Sequence, residues 1–540
     1  MIQQAFNLLN TGKLEEAKTL LNQLTTTTPN DPQCWYLFGL LKARYQQYDA
    51  AEKDLLHSLE LNSTPQACIA LGQVYMVTNK LDKAELYLDK ALSLDDTLVE
   101  AYNGLATIYS STGRDSKAIN YFEKIIDMNV SNEFVYGNLA SLYERLRKHD
   151  QANETANKAV ALNPDNVTGN LVLARVDRKN KQYDKAIERL NRILKTPSIH
   201  PSIILNIKSE LGLALDLKGD YKQAFNAFVS SNEAAQQIAS QAPYDKSYYL
   251  NKVSTNQAWY TADRVAAFPS VSINSSNDKY AGRKPPVFFV GFPRSGTTLV
   301  EQILSSNKNI EASGEEVVLN DLIDFAKSNI EASKSYPEFM QDYDTQDKIF
   351  QLRDEYFKKL KSDCGFEGGD HLFIDKLPLN IVDLGFIKQL FPDAKIIMAY
   401  RDPRDVCLSC FTQAFQLNPA MIQFLTLKDT ANFYAKTMEL WLHYKEVLDI
   451  ELFEYKYEDL VADSESITKN MVEFLGEEWS SEMLEYYKDV ATKHVATPSF
   501  ADVKSPIYSR AVQRWRNYAD EIKEVENILE PYIKEFGYEV

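Results

Sequence analysis

Val287-Phe288-Phe289-Val290-Gly291-Phe292-Pro293-Arg294-Ser295-Gly296-Thr297-Thr298 is the stretch that decides how the C-terminal half of this 540-residue chain folds. The β-favouring run Val287 to Val290 predicts a buried strand, and Leu299-Val300-Glu301-Gln302-Ile303-Leu304 has the apolar spacing of a helix. The turn bracketed by Gly291 and Gly296 joins them into strand, loop and helix. Such a loop aims backbone N–H groups and the positive end of a helix dipole at an anion, so a phosphate is the expected occupant. A nucleotide triphosphatase loop reads G-x-x-x-x-G-K-[ST], with the lysine reaching the β and γ phosphates; Thr297 stands at that lysine position here. With Arg294 in the loop and two hydroxyls behind it, the site suits a single phosphate monoester-like group. The bland reading of the same residues is a glycine turn with a buried threonine pair.

Pro293-Arg294-Ser295-Gly296-Thr297-Thr298 resembles the 5′-phosphosulfate loop of sulfotransferases that use 3′-phosphoadenosine 5′-phosphosulfate (PAPS). The resemblance implies that Arg294, Ser295, Gly296, Thr297 and Thr298 grip the 5′-phosphate. A second signature about a hundred residues on, Ala394-Lys395-Ile396-Ile397-Met398-Ala399-Tyr400-Arg401-Asp402-Pro403-Arg404-Asp405, again reads as strand, turn and helix start. Arg401 and Ser409, eight residues apart, resemble the pair that holds the 3′-phosphate in this family. Taken alone, this segment reads equally well as a helix capped by Asp402 or Asp405 with Arg401 in a surface ion pair.

Sulfuryl transfer also needs a base for the acceptor hydroxyl and a charge to stabilise the leaving phosphate. In the tyrosine sulfotransferases a glutamate twenty-one residues after the loop arginine is the base, and that count from Arg294 lands on Glu315, with Glu316 as the adjacent alternative. Leu372-Phe373-Ile374-Asp375-Lys376-Leu377-Pro378 resembles the short strand ending in a lysine before proline, which makes Lys376 the stabiliser of the leaving group. Tyr457 falls where the family places an aromatic near the adenine, and Ser499 and Lys504 fall in a segment resembling the loop that closes over the cofactor. The six histidines are scattered and none sits in H-E-x-x-H, so no metal site is expected. The five cysteines read as reduced, small apolar residues, with Cys407 and Cys410 inside the predicted 3′-phosphate helix.

The N-terminal half follows a different rule. Ala17, Ala51, Ala84, Ala118, Ala152, Ala186 and Ala224 are spaced 34, 33, 34, 34, 34 and 38 residues apart, and twelve residues before each lies Ala5, Gly39, Gly72, Ala106, Ala140, Ala174 or Gly212. A period of 34 with small residues at two fixed points is the signature of tetratricopeptide repeats, whose closely packed helices leave no room for larger side chains. About seven repeats are expected over residues 1–240, a polar linker over 241–283 and a catalytic domain over 284–540. The concave face of such a solenoid can hold a peptide, dock on its own catalytic domain or mediate a homodimer.

The chain has 59 basic and 76 acidic residues, a formal charge of −17, which argues against nucleic acid or an anionic membrane surface as the main partner. It opens Met-Ile-Gln-Gln-Ala-Phe, with no charged n-region and no run of eighteen apolar residues, so a cytoplasmic location is expected. The animal tyrosine sulfotransferases differ in carrying a membrane anchor. The whole is similar to bacterial proteins that fuse a tetratricopeptide array to a sulfotransferase domain. The expected fold is an all-α superhelix followed by an α/β domain with a central parallel sheet. The expected activity is PAPS-dependent sulfation of a hydroxyl, with protein tyrosine first. Alternatives are a saccharide or small-molecule hydroxyl as acceptor, or a non-catalytic scaffold with a vestigial nucleotide site.

Overall fold

The structure, a computed structural model, describes the chain except residues 131, 243, 270–282, 331–333, 367, 369–370, 491–506, 508–509 and 540. It divides into two compact units, Met1–Ser198 and Ile199–Val540.

The first unit is built from antiparallel helix pairs such as Pro32–Arg44 with Tyr48–Leu61 and Pro65–Val77 with Leu81–Leu94. Asp31 and Thr64 cap the first helix of these pairs, each followed by proline at the first helical position, where a missing N–H costs nothing. The small-residue template lies at helix crossings: Ala5, Ala17, Ala51, Ala84, Ala106, Ala118, Ala140, Ala152, Ala174 and Ala186 are all fully buried. A Cβ on Gly39 would lie 2.6 Å from Leu55 Cγ, and one on Gly72 would lie 2.8 Å from Leu88 Cγ, so the neighbouring leucine leaves no room for a methyl group. The turn inside each pair carries a left-handed residue five positions before the template alanine: Gly12, Gln46, Asn79, Gly113, Arg147 and Lys181. Only two of those six are glycine, so the turns repeat in conformation where the sequence does not repeat in residue type.

The second unit begins with the helix pair Pro201–Lys218 and Tyr221–Ala239, the seventh member of the series. Asn232 donates to the Phe411 carbonyl at 2.9 Å, and Phe225 packs on Phe411 at 5.1 Å between ring centroids. The stretch read from sequence as a linker carries the helix Tyr248–Trp259, packed on the helix Leu427–Val447. On it, Lys252 forms a buried 2.7 Å ion pair with Asp383, and Asn256 donates to the Val382 carbonyl at 2.7 Å. Polar residues that look like linker composition are thus spent on satisfying a buried turn.

Five parallel strands follow: β1 (Val287–Gly291), β2 (Ile310–Ala312), β3 (Leu372–Lys376), β4 (Lys395–Tyr400) and β5 (Glu451–Lys456), in the spatial order β2-β3-β1-β4-β5. The register sets Phe289 beside Lys376 on one side and beside Ile397 on the other. β1 and β3 are buried along their whole length, β1 as an uninterrupted apolar run and β3 with Asp375 and Lys376 buried after its three apolar residues. One face of the sheet packs Phe289 and Ile397 with Leu299, Ile303 and Met471, while Phe288 on the other face meets Tyr356 and Phe391. The chain leaves β1 toward β2 on one side and leaves β4 toward β5 on the other. A crevice therefore opens between the carboxyl ends of β1 and β4, the place where doubly wound sheets bind ligands.

Candidate active site

Each strand delivers a candidate residue just past its carboxyl end: Arg294 after β1, Glu315 after β2, Lys376 at the end of β3, Arg401 after β4 and Tyr457 after β5. The loop after β1 ends at Gly296, and the helix Thr297–Leu304 begins there, so its first N–H groups point into the crevice. Gly296 has φ +89°, and a Cβ there would lie 2.5 Å from Tyr457 Cδ2. Glycine is required on both counts, left-handed backbone and contact with an aromatic ring.

Across the crevice the two signatures meet. Arg294 Nε donates to Ser409 Oγ at 3.0 Å, and Arg401 donates to the carbonyl of Arg294 at 2.9 Å and to that of Ala511 at 2.6 Å. Ser409 lies on the helix Pro403–Thr412, which Asp402 caps through the Arg404 N–H. Arg401 is buried over the Tyr457 ring, 5.0 Å from its centroid, and its Nε has no hydrogen-bond partner among the described residues. The unpartnered Arg401 N–H and the Ser409 hydroxyl that Arg294 contacts are donors of the kind a phosphate oxygen takes. Asp405 Oδ2 stands 4.0 Å from Arg401, and burial pushes the Asp405 carboxyl up to about 6 while the arginine opposes that rise.

On the β3 side, the Lys376 side chain is fully buried between two carboxylates. It donates to Glu315 Oε1 at 2.6 Å and forms an ion pair with Glu301 Oε2 at 3.0 Å. Ser313 Oγ accepts from the Lys376 backbone N–H at 2.8 Å, and Glu301 Oε1 accepts from the Gly314 N–H at 3.1 Å. Glu315 keeps about a third of its side chain exposed (30%), so it faces solvent and the lysine together. Glu316, its neighbour, is exposed. Beneath them Asp375 is fully buried, holding Tyr356 OH at 2.9 Å and Asn380 at 3.0 Å, and burial pushes its carboxyl up to about 7.

Backbone strain marks the same residues. Arg294 (φ 71°) and Glu315 (φ 84°) are non-glycine residues in the left-handed region, each at the turn that aims its side chain into the site. Such conformations cost on the order of 1–3 kcal/mol and persist where the surroundings over-determine them.

The predicted residues Arg294, Ser295, Thr297, Thr298, Arg401, Ser409, Glu315, Lys376 and Tyr457 all lie at this one edge of the sheet. Ser295, Thr297 and Thr298 are buried. Ser499 and Lys504 fall outside the described residues. Glu301 is what sequence reasoning missed. It sits four residues after Thr297, hence on the same helix face as that loop hydroxyl, which was the available signal.

With this geometry in place, residues 285–481 match the sulfotransferase family, and residues 65–97, 99–130 and 144–197 match tetratricopeptide repeats. The chain therefore combines a sulfotransferase-family domain with tetratricopeptide repeats. An uncharacterized protein of Aquifex aeolicus (strain VF5) is 25% identical over 64% of this chain, a match that spans 44% of that protein's length. Protein-tyrosine sulfotransferase A of Caenorhabditis elegans is 23% identical over 55% of this chain and 78% of its own, and protein-tyrosine sulfotransferase 2 of Gallus gallus is 22% identical over 50% and 73%. Among solved structures, the C-terminal part of a repeat-containing protein from Cytophaga hutchinsonii covers 45% of the chain and 96% of its own length, with 19% identity and a TM-score of 0.34. No helix among the described residues is long and apolar enough to cross a membrane.

Proposed function

We propose that this chain transfers a sulfuryl group from PAPS to an acceptor hydroxyl, with protein tyrosine as the first acceptor to test. The observation that carries the reading is the contact of Arg294 with Ser409, which joins two phosphate signatures 115 residues apart into one donor set. PAPS, when bound, supplies the sulfuryl group and the phosphate that leaves. Arg294, Ser295, Gly296, Thr297 and Thr298 hold its 5′ end. Arg401 and Ser409 hold the 3′-phosphate, with Tyr457 as the floor beneath the arginine and Ser499 and Lys504 on the closing segment.

Glu315, about a third of whose side chain is open to solvent, takes the proton of the acceptor hydroxyl. Lys376, buried and held between two carboxylates, presents its ammonium where the leaving phosphate gains negative charge, and a buried cation acts there with little screening. The names of the nematode and avian relatives favour tyrosine as acceptor. In that case the repeats present the acceptor peptide.

The direct test is calorimetric titration with adenosine 3′,5′-bisphosphate in the presence of a chelator. Saturable binding is expected. Binding of ATP that depends on Mg²⁺, with no binding of the bisphosphate, would replace this reading with a phosphotransferase.

A further inference from the structure

We infer that Glu301 is a positioning residue for sulfuryl transfer: it holds the Lys376 ammonium in place while Glu315 gives up its own hold to take the acceptor's proton. The inference rests on the reading of Glu315 as base and Lys376 as stabiliser of the leaving group. Three segments meet on this one side chain. Glu301 belongs to the helix that opens at the phosphate loop, its Oε1 accepts from Gly314, and its Oε2 lies 3.0 Å from Lys376 Nζ.

Charge balance alone does not call for it. Glu315 already lies 2.6 Å from Lys376, so the buried ammonium has a counterion without Glu301. A second buried carboxylate carries a desolvation cost and leaves two negative groups facing one positive. The cost is visible in Glu301 itself, whose pKa burial raises while Lys376 and the Gly314 N–H hold it down and Glu315 adds to the rise. What Glu301 provides is permanence. When the acceptor proton moves to Glu315, that residue becomes neutral and its attraction for Lys376 falls; Glu301, buried and held by the Gly314 N–H, stays against the ammonium and keeps it where the leaving phosphate needs it. Its bond to Gly314 also pins the residue before the strained Glu315 turn, so the base and the cation are referenced to the same carboxylate.

The test is Glu301→Gln, which retains an oxygen for the Gly314 N–H and removes only the charge. Turnover of the full-length protein should fall roughly 10- to 100-fold, the scale set by a misplacement of about 1 Å, while acceptor KM and bisphosphate affinity stay within about threefold. The decisive readout is a double-mutant cycle with Lys376→Gln. If Glu301 acts through Lys376, the double variant turns over as slowly as Lys376→Gln alone, because the second loss has nothing left to act on. Two losses that multiply would assign Glu301 a merely structural role and overturn the inference, as would wild-type turnover in Glu301→Gln. Should Glu301→Gln fail to fold, the comparison of Lys376→Gln with the double variant, which has lost the unpaired ammonium as well, carries the test alone. A wild-type protein that binds no bisphosphate would sink the sulfotransfer reading itself. One that binds and turns over, with Glu301→Gln unchanged, would sink only this inference.

Discussion

Replacing Arg401 by alanine removes the guanidinium that ties the turn after β4 to the loop after β1. Arg401 is 7% exposed and reaches across the crevice, donating to the carbonyls of Arg294 and Ala511, with Nε unpaired among the described residues. A phosphate dianion held there forms a buried charge pair, and truncating one partner of such a pair costs about 2–5 kcal/mol. At 1.4 kcal/mol per tenfold, the dissociation constant of adenosine 3′,5′-bisphosphate should rise between about 30-fold and a few thousand-fold. Part of that loss comes from the Arg294 carbonyl, which loses its donor and lets the strained loop relax. Arg401→Lys separates the two contributions: one ammonium restores charge without reaching both carbonyls, so affinity should recover only in part. Calorimetry gives the affinities, and a thermal unfolding curve for each variant confirms that it is folded. A folded Arg401→Ala protein that binds the bisphosphate within twofold of wild type would refute the assignment of Arg401 to the 3′-phosphate.

Other outcomes follow from the same geometry. Glu315→Gln should cut turnover by about 10²–10⁴-fold with bisphosphate affinity preserved, whereas Glu316→Gln should leave turnover near wild type; the reverse pattern in initial-rate assays would move the base by one residue. Lys252→Met strands the buried Asp383 carboxylate with the Tyr336 hydroxyl as its remaining side-chain donor among the described residues, and should lower unfolding free energy by about 3–5 kcal/mol in a denaturant titration. Asp375 has a folded pKa of about 7, above its unfolded value, so its contribution to stability is complete below about pH 4 and is lost as pH rises through 7. Asp375→Asn should remove that decline, and a variant whose pH–stability curve between 4 and 8 parallels wild type would show that Asp375 does not titrate in this window.

Local signals made the phosphate loop, the Arg401–Ser409 pair and the repeat period legible, because each depends on residues close in sequence. Gly39 and Gly72 could be found without a structure since close packing at a helix crossing demands a small residue at every period. Glu301 could not be weighed the same way. In a helix of apolar spacing a single glutamate reads as the solvent face, and only the approach of Lys376, seventy-five residues on, shows that this face is buried. The helix Tyr248–Trp259 was hidden for the converse reason: Lys252 and Asn256 look like linker composition until the turn Val382–Asp383 arrives to be satisfied by them. β2, three residues long, is too short for periodicity to register, although its register beside β3 is what delivers Glu315 to Lys376.

The most direct test of the whole account is transfer of radiolabelled sulfate from PAPS by the purified full-length protein, in chelator, into tyrosine peptides, glycans and phenols offered side by side. The account predicts label in a tyrosine hydroxyl with wild type and incorporation about 10²–10⁴-fold slower with Glu315→Gln. Label confined to glycans or phenols would keep the chemistry and change the acceptor, and absence of label from every acceptor, in a protein that binds the bisphosphate, would contradict catalysis.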